Sequence, residues 1–351
     1  MSGTRPILCA GPARSGTTLL RSILNKHPEV WVSNETHYFD ILRLRLRGHE
    51  RGALSQTQRD ECEAFFRPLL AQDDKVFGAE TPGGVEHLRE LALAAGDGAD
   101  AYFESFCRYG ADRRGRARWG EKTPRNVFRL DELFGYAPNA KVVCTLRDPR
   151  AVVASYRDQR TKGADKVSDW YAAGRKRVEQ MYHPVLVGLV WKAAVAATIR
   201  ARKRYGDDSV YVLRYEDLVT APAESIRRLT DWLEVDFTES MLEIEVIGSS
   251  YASGYRSATG FSTEPLSRWQ KALSPRDVAA VQSSCRHLMT AVGYDPSRVK
   301  GAFRHTLASW ASVPVATCRA LLANRGRIGD AREYVTRRLV LASRRAESLD
   351  A

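Results

Sequence analysis

Gly11-Pro12-Ala13-Arg14-Ser15-Gly16-Thr17-Thr18 has the residues to hold an anion. It follows an apolar run, Pro6–Ala10, and precedes an apolar-periodic one, Leu19–Leu24, which is the strand, loop, helix order of a phosphate-binding loop. Amides at the start of such a helix point at the anion, the helix dipole reinforces them, and Gly16 lets the backbone approach closely. Arg14, Ser15, Thr17 and Thr18 add a cation and hydroxyls to those amides. The spacing fits the nucleoside triphosphatase loop except that Thr17 stands where its lysine belongs. That lysine steadies the β- and γ-phosphates, so its replacement by a cation at Arg14 disfavours an ATPase or GTPase and suits a donor lacking a γ-phosphate.

A second motif is Val142-Val-Cys-Thr-Leu-Arg147-Asp-Pro-Arg-Ala-Val-Val-Ala-Ser155. It reads as a strand ending in arginine, then a helix that Asp148 caps and Pro149 opens. Arg147 should leave the sheet at its carboxyl edge, the usual ligand crevice of open α/β sheets. Ser155, two turns into the helix, can turn its hydroxyl to the same anion. The planar guanidinium fork meets phosphate oxygens in two places.

The first motif, as Arg14-Ser-Gly-Thr-Thr-Leu-Leu-Arg21, resembles the 5′-phosphosulfate loop of sulfotransferases that use the donor PAPS, particularly their bacterial and tyrosylprotein branches. The second resembles the family's 3′-phosphate site, where an Arg and a Ser read the group that distinguishes PAPS from ADP. The resemblance spans roughly residues 5–295. It implies PAPS as donor, PAP as product and no required metal. Sulfuryl transfer needs a base for the acceptor hydroxyl, cationic stabilisation of the leaving oxygen and in-line placement. Glu35 follows the short strand Glu29–Val32 and resembles the catalytic glutamate of the tyrosylprotein branch, although Asn34 replaces an acid and His37 an arginine of that pattern. His37 is the rival base, because an unperturbed imidazole is largely neutral at pH 7. Lys122, in Gly120-Glu-Lys-Thr-Pro, resembles the lysine that family members place beside the sulfate and joins Arg14 as a candidate catalytic cation. Tyr215, in Arg214-Tyr-Glu-Asp, is the expected adenine or ribose contact. Arg268 belongs to a late segment, Thr259–Phe261 with Leu266–Trp269, that resembles the loop folding back over the donor.

These residues need a sheet whose strands end together. Pro6–Ala10, Glu29–Val32, Ala140–Leu146 and Ser209–Leu213 read as strands alternating with helices, which predicts an α/β fold with a P-loop-type parallel sheet flanked by helices. A helix is expected through Ala151–Asp158 and another from Asp217, delayed by Pro222 to about Glu224. Residues 40–118 and 160–205, the latter with Trp170 and Trp191, read as helical insertions in which the acceptor would bind. Residues 300–351 read as a helical C-terminal appendage, with periodicity in Leu321-Leu322 and Tyr334–Leu341, beside a main domain of residues 1–299.

The 351 residues carry a net charge of +12, which favours anionic partners. Residues 300–351 hold ten basic and four acidic residues, net +6, so half the excess sits there. The bland reading of that tail is a solvated appendage; the alternative is a peripheral membrane or partner contact. Six unpaired-looking cysteines suggest neither a disulfide framework nor a zinc knuckle, and metal ligands are not predicted. With no signal-peptide pattern and no run of about 18 apolar residues, cytoplasmic residence is the expectation. A kinase or triphosphatase lacks its lysine here, and a nucleic-acid partner lacks any recognition motif. The acceptor stays open among small hydroxylated molecules, lipids, glycans and peptides.

Overall fold

Both sides of the first strand are apolar. In Ile7-Leu8-Cys9-Ala10, Ile7 and Cys9 meet Leu20, Ile23 and Leu24 on one face, while Leu8 and Ala10 join the cluster that contains Tyr102, Phe103 and Cys144 on the other. Strands buried on two faces demand a parallel sheet covered by helices. The computed structural model describes residues 5–161, 182–245, 259–324, 332–333 and 335–336. Its sheet comprises β1 (Ile7–Ala10), β2 (Val30–Ser33), β3 (Arg118–Lys122), β4 (Lys141–Leu146) and β5 (Val210–Arg214) in the order β2-β3-β1-β4-β5. All neighbouring strands run parallel. The four expected strands are present with ends shifted by about one residue. β3 was not expected, because Arg, Gly, Glu and Lys are poor strand formers and only its place between β1 and β2 imposes the conformation. Gly120 is needed there: a Cβ would lie 2.3 Å from the Ile7 carbonyl oxygen.

The helices are α1 (Thr17–Leu24), α2 (Leu42–Arg45), α3 (Gln56–Phe77), α4 (Gly84–Ala95), α5 (Ala99–Asp112), α6 (Leu130–Tyr136), α7 (Pro149–Thr161), α8 (Pro184–Tyr205), α9 (Tyr215–Thr220), α10 (Pro222–Leu233), α11 (Glu264–Ala272), α12 (Pro275–Ala291), α13 (Ala302–Ala311) and α14 (Val313–Asn324). The expected start near Glu224 is corrected: a helix already begins at Tyr215, and Pro222 opens the next one, since proline at the first position gives up an amide that has no intrahelical acceptor. Residues 42–112 form the expected helical insertion, joined to the sheet by an aromatic cluster in which Tyr38 stacks on Phe103 at 4.6 Å.

Residues 184–205 are not an insertion but a core helix. Trp191 and Ala193–Ala197 of α8 are buried among β4, α7 and α12, so the apolar residues rather than the flanking basic ones set its place. Among the described residues α8 is the one helix with the length and composition to cross a membrane, and it lies mostly inside the fold. Trp170 and most of Tyr334–Leu341 lie outside the described residues.

The amino edge of the sheet is held by charge. Lys141 Nζ, almost wholly buried, lies 3.0 Å from both Asp208 and Glu234 carboxylates and over the Trp232 ring, and Arg5 pairs with the same two acids. All the chemistry-bearing residues lie at the other edge.

Candidate active site

Each strand delivers one piece of the site at its carboxyl end: the 11–16 loop from β1, Glu35 beyond β2, Lys122 as the last residue of β3, Arg147 after β4 and Tyr215 after β5. The loop is strained at Arg14, a non-glycine residue at φ 70°, a conformation that persists only when its surroundings impose it. The second motif does so. Arg14 Nε donates to Ser155 Oγ at 3.0 Å, and Arg147 Nη1 donates to the Arg14 carbonyl at 3.1 Å. The two motifs, more than 130 residues apart in sequence, therefore grip one residue.

Ser15 is turned inward, its Oγ bonded to the Pro12 carbonyl and lying 2.6 Å from Thr145 Oγ1, while its amide also bonds Pro12 O. It shapes the loop instead of facing the crevice. The first intrahelical bond of α1 runs from Leu20 N to Gly16 O, so the amides of Thr17, Thr18 and Leu19 precede the ladder and point to the helix mouth. Gly16 sits at φ 97°, and a Cβ there would lie 2.6 Å from the Tyr215 ring. Tyr215 is itself buried and supports the Arg147 guanidinium 4.2 Å above its ring. It thus props both the 11–16 loop and Arg147.

Arg147 donates through Nη2 to the Pro265 carbonyl at 3.1 Å, which draws α11 over the loop, and its buried Nε has no hydrogen-bond partner among the described residues. Trp191 Nε1 fixes the Arg147 backbone by donating to its carbonyl at 2.8 Å. Arg268, on α11, pairs with Asp158 at 2.7 Å and with Glu264 at 3.5 Å. Asp158 lies one turn beyond Ser155 on α7, so Arg268 stands beside the expected phosphate position with its charge already matched.

Opposite this cationic side stands an acidic one. Lys122 Nζ, 2% exposed, lies 2.7 Å from Glu35 Oε1, and His37 Nε2 lies 3.4 Å from Glu35 Oε2. Burial pushes the Glu35 carboxyl up, but the His37 hydrogen bond and the Lys122 ammonium outweigh it and hold it down to about 2. His37, like Arg14, has positive φ, 56°.

Glu121 was missed in the sequence. It is wholly buried and accepts from the Thr36 amide (3.0 Å), Thr36 Oγ1 (2.9 Å), Asn126 Nδ2 (2.9 Å) and Thr123 Oγ1. Burial raises its pKa against these donors. By tying Thr36 to β3 it sets the spacing between Glu35 and Lys122. Its signal in the sequence is an acid beside Lys122, ahead of Thr-Pro. No group of three or more His, Cys, Asp or Glu side chains suited to a metal occurs among the described residues.

The sulfotransferase family model matches residues 6–239, which include every one of these groups except those on α11. The chain is 27% identical over 305 residues to protein-tyrosine sulfotransferase A of Caenorhabditis elegans, covering 83% of this chain and 67% of that protein. It is 23% identical over 301 residues to the Drosophila melanogaster protein-tyrosine sulfotransferase, covering 83% of this chain but 52% of that protein. It therefore spans about two thirds of one of these relatives and about half of the other. The sulfotransferase domain of the Synechococcus PCC 7002 olefin synthase shares the fold, with a TM-score of 0.50 and 18% identity over 81% of this chain and 96% of that domain. The strand-end arrangement and the family match over two thirds of the sequence agree, and the chain belongs to the sulfotransferase family.

Proposed function

We propose that this chain transfers a sulfuryl group from PAPS to an acceptor hydroxyl by in-line displacement. The observation that carries the reading is the pairing of Lys122 with Glu35 at 2.7 Å beside a loop whose Arg14 is held by Ser155 and Arg147. The acceptor oxygen bonds to sulfur as the bond from sulfur to the 5′-phosphate oxygen of PAP breaks, and the acceptor proton passes to Glu35. Lys122 and Arg14 stabilise charge on the departing oxygen. Amides at the mouth of α1 take the 5′-phosphate, and Arg147 takes the 3′-phosphate.

A carboxyl held at about 2 is a weak base, and this bears on the order of events. An arriving donor offers Lys122 anionic oxygens in exchange for Glu35, and the carboxylate so released gains basicity when the acceptor hydroxyl is in place. His37, within 3.4 Å of the other oxygen, orients the carboxylate and is the alternative proton acceptor. The two curated relatives are named for protein tyrosine, so a peptide tyrosine is the first acceptor to test, ahead of small-molecule, lipid and glycan hydroxyls.

Thermal shift with nucleotides tests the donor. PAP should raise the melting temperature more than ADP or ATP with magnesium; equal or reversed shifts would overturn the assignment. Incubation with PAPS and tyrosine peptides or a cell extract, followed by mass spectrometry for products gaining one sulfuryl group, identifies the acceptor.

A further inference from the structure

α13 is turned inside out for a surface helix. A helix packed on a soluble domain buries its apolar stripe and shows water its polar face. Here the inward contacts are polar: Ser309 Oγ and the Ala308 carbonyl both accept from Arg276, Trp310 Nε1 donates to Ser283 Oγ, and Ser312 Oγ lies 3.0 Å from His183 Nε2. The apolar side chains point outward. Phe303 and Leu307 follow i, i+4 spacing and so share one face, and Trp310, the next turn on, lies at its margin with its indole nitrogen turned to Ser283. Val315 and Leu322, seven apart, continue an apolar face on α14. Phe303, Leu307, Val315 and Leu322 are each between 64% and 81% exposed. Of the nine large hydrophobic residues exposed among the described residues, five lie in these two helices.

The charge around that stripe has one sign. Arg298, Lys300, Arg304 and Arg319 are all exposed, and no acidic residue occurs between Pro296 and Asn324. A second copy docked face to face would set these cations against their own counterparts, which disfavours a symmetric dimer through this surface. Aliphatic and aromatic side chains rimmed by arginine and lysine match an interface of acyl chains beneath anionic headgroups. We propose that α13 and α14 dock on an anionic lipid bilayer, Phe303, Leu307 and Leu322 entering the headgroup boundary while the four cations contact lipid phosphates. The surface lies outside residues 6–239, the span that the sulfotransferase family model matches.

The test is flotation of the full chain with phosphatidylcholine vesicles, with and without about a quarter phosphatidylglycerol, at physiological salt. Binding should be at least about tenfold greater to the anionic vesicles and should weaken as salt rises. Phe303→Ser with Leu307→Ser should reduce it by about tenfold or more, and Arg304→Glu with Arg319→Glu should remove the preference for anionic lipid. Both pairs lie on the surface and should leave the melting temperature and PAP-induced shift within error, which separates lost docking from lost folding. Equal binding to neutral and anionic vesicles, undiminished binding by the Phe303/Leu307 variant, or a concentration-dependent dimer abolished by that variant would overturn the proposal.

Discussion

Lys122 Nζ sits 2.7 Å from Glu35 Oε1, joining the last residue of β3 to the loop beyond β2. The pair places the candidate base and the candidate leaving-group cation in one contact, so each holds the other. Glu35→Gln keeps the shape and removes the proton acceptor. Turnover should fall by about 10²- to 10⁴-fold while PAP binding, measured by calorimetry, stays within a few-fold. Full activity would move the proton to His37 or elsewhere.

The carboxyl itself should report the pairing. Glu35 in the native protein is held at about 2 against 4.5 for an ordinary glutamate. A depressed acid contributes stability that is present above about pH 4.5 and is lost as pH falls toward 2. The stability difference between the wild type and Glu35→Gln should shrink over that window in pH-dependent denaturation. Lys122→Met should move the carboxyl upward in a carbon-detected NMR titration and lower kcat by about 10²-fold or more.

Arg147 should control which nucleotide is preferred, and Ser155 how tightly either is held. Arg147→Lys removes the fork, and the preference for PAP over ADP should fall by about tenfold to a hundredfold in calorimetric Kd values. Ser155→Ala removes the oxygen that accepts from Arg14 and should weaken both nucleotides, because it loosens the loop shared by their 5′ ends.

Gly16→Ala meets two obstacles at once: a backbone at φ 97° and a Cβ 2.6 Å from the Tyr215 ring. A loss of about 1–3 kcal/mol in denaturant unfolding is expected, together with loss of the PAP-induced thermal shift. Tyr215→Ala in the same chain should not rescue it fully, since the backbone strain remains.

Removing Glu121 leaves the Thr36 amide and three side-chain donors without an acceptor in a dry site. Glu121→Ala should cost about 2–4 kcal/mol in stability. Glu121→Asp, which keeps the charge but shortens the reach to Thr36, should retain more stability than Glu121→Ala while kcat falls more than the KM for PAPS rises. Equal losses in both parameters would reduce Glu121 to a folding role.

The parts of the site that stood out in the sequence are those whose chemistry is local. Arg14, Gly16 and the two threonines lie within five residues, and Asp148-Pro149 announces its own helix. β3 and Glu121 were not legible because their reasons are distant. A strand reading Arg-Trp-Gly-Glu-Lys is imposed by β1 and β2, and its acid is satisfied by Thr36, 85 residues earlier. α8 was misread for the same reason: four of its five basic residues lie near one end, whereas its burial depends on β4 and α12. Motif position alone also left unread that Tyr215 packs against Gly16 and that Ser15 bonds the Pro12 carbonyl.

The Lys141 cluster, with Arg5, Asp208, Glu234 and Trp232, occupies the edge of the sheet opposite the crevice. Durability and turnover are thereby assigned to opposite poles of one sheet. An engineer seeking a longer-lived enzyme has a whole pole to modify without disturbing the reacting groups, and damage at Lys141 would show as reduced protein yield with the rate per folded molecule intact.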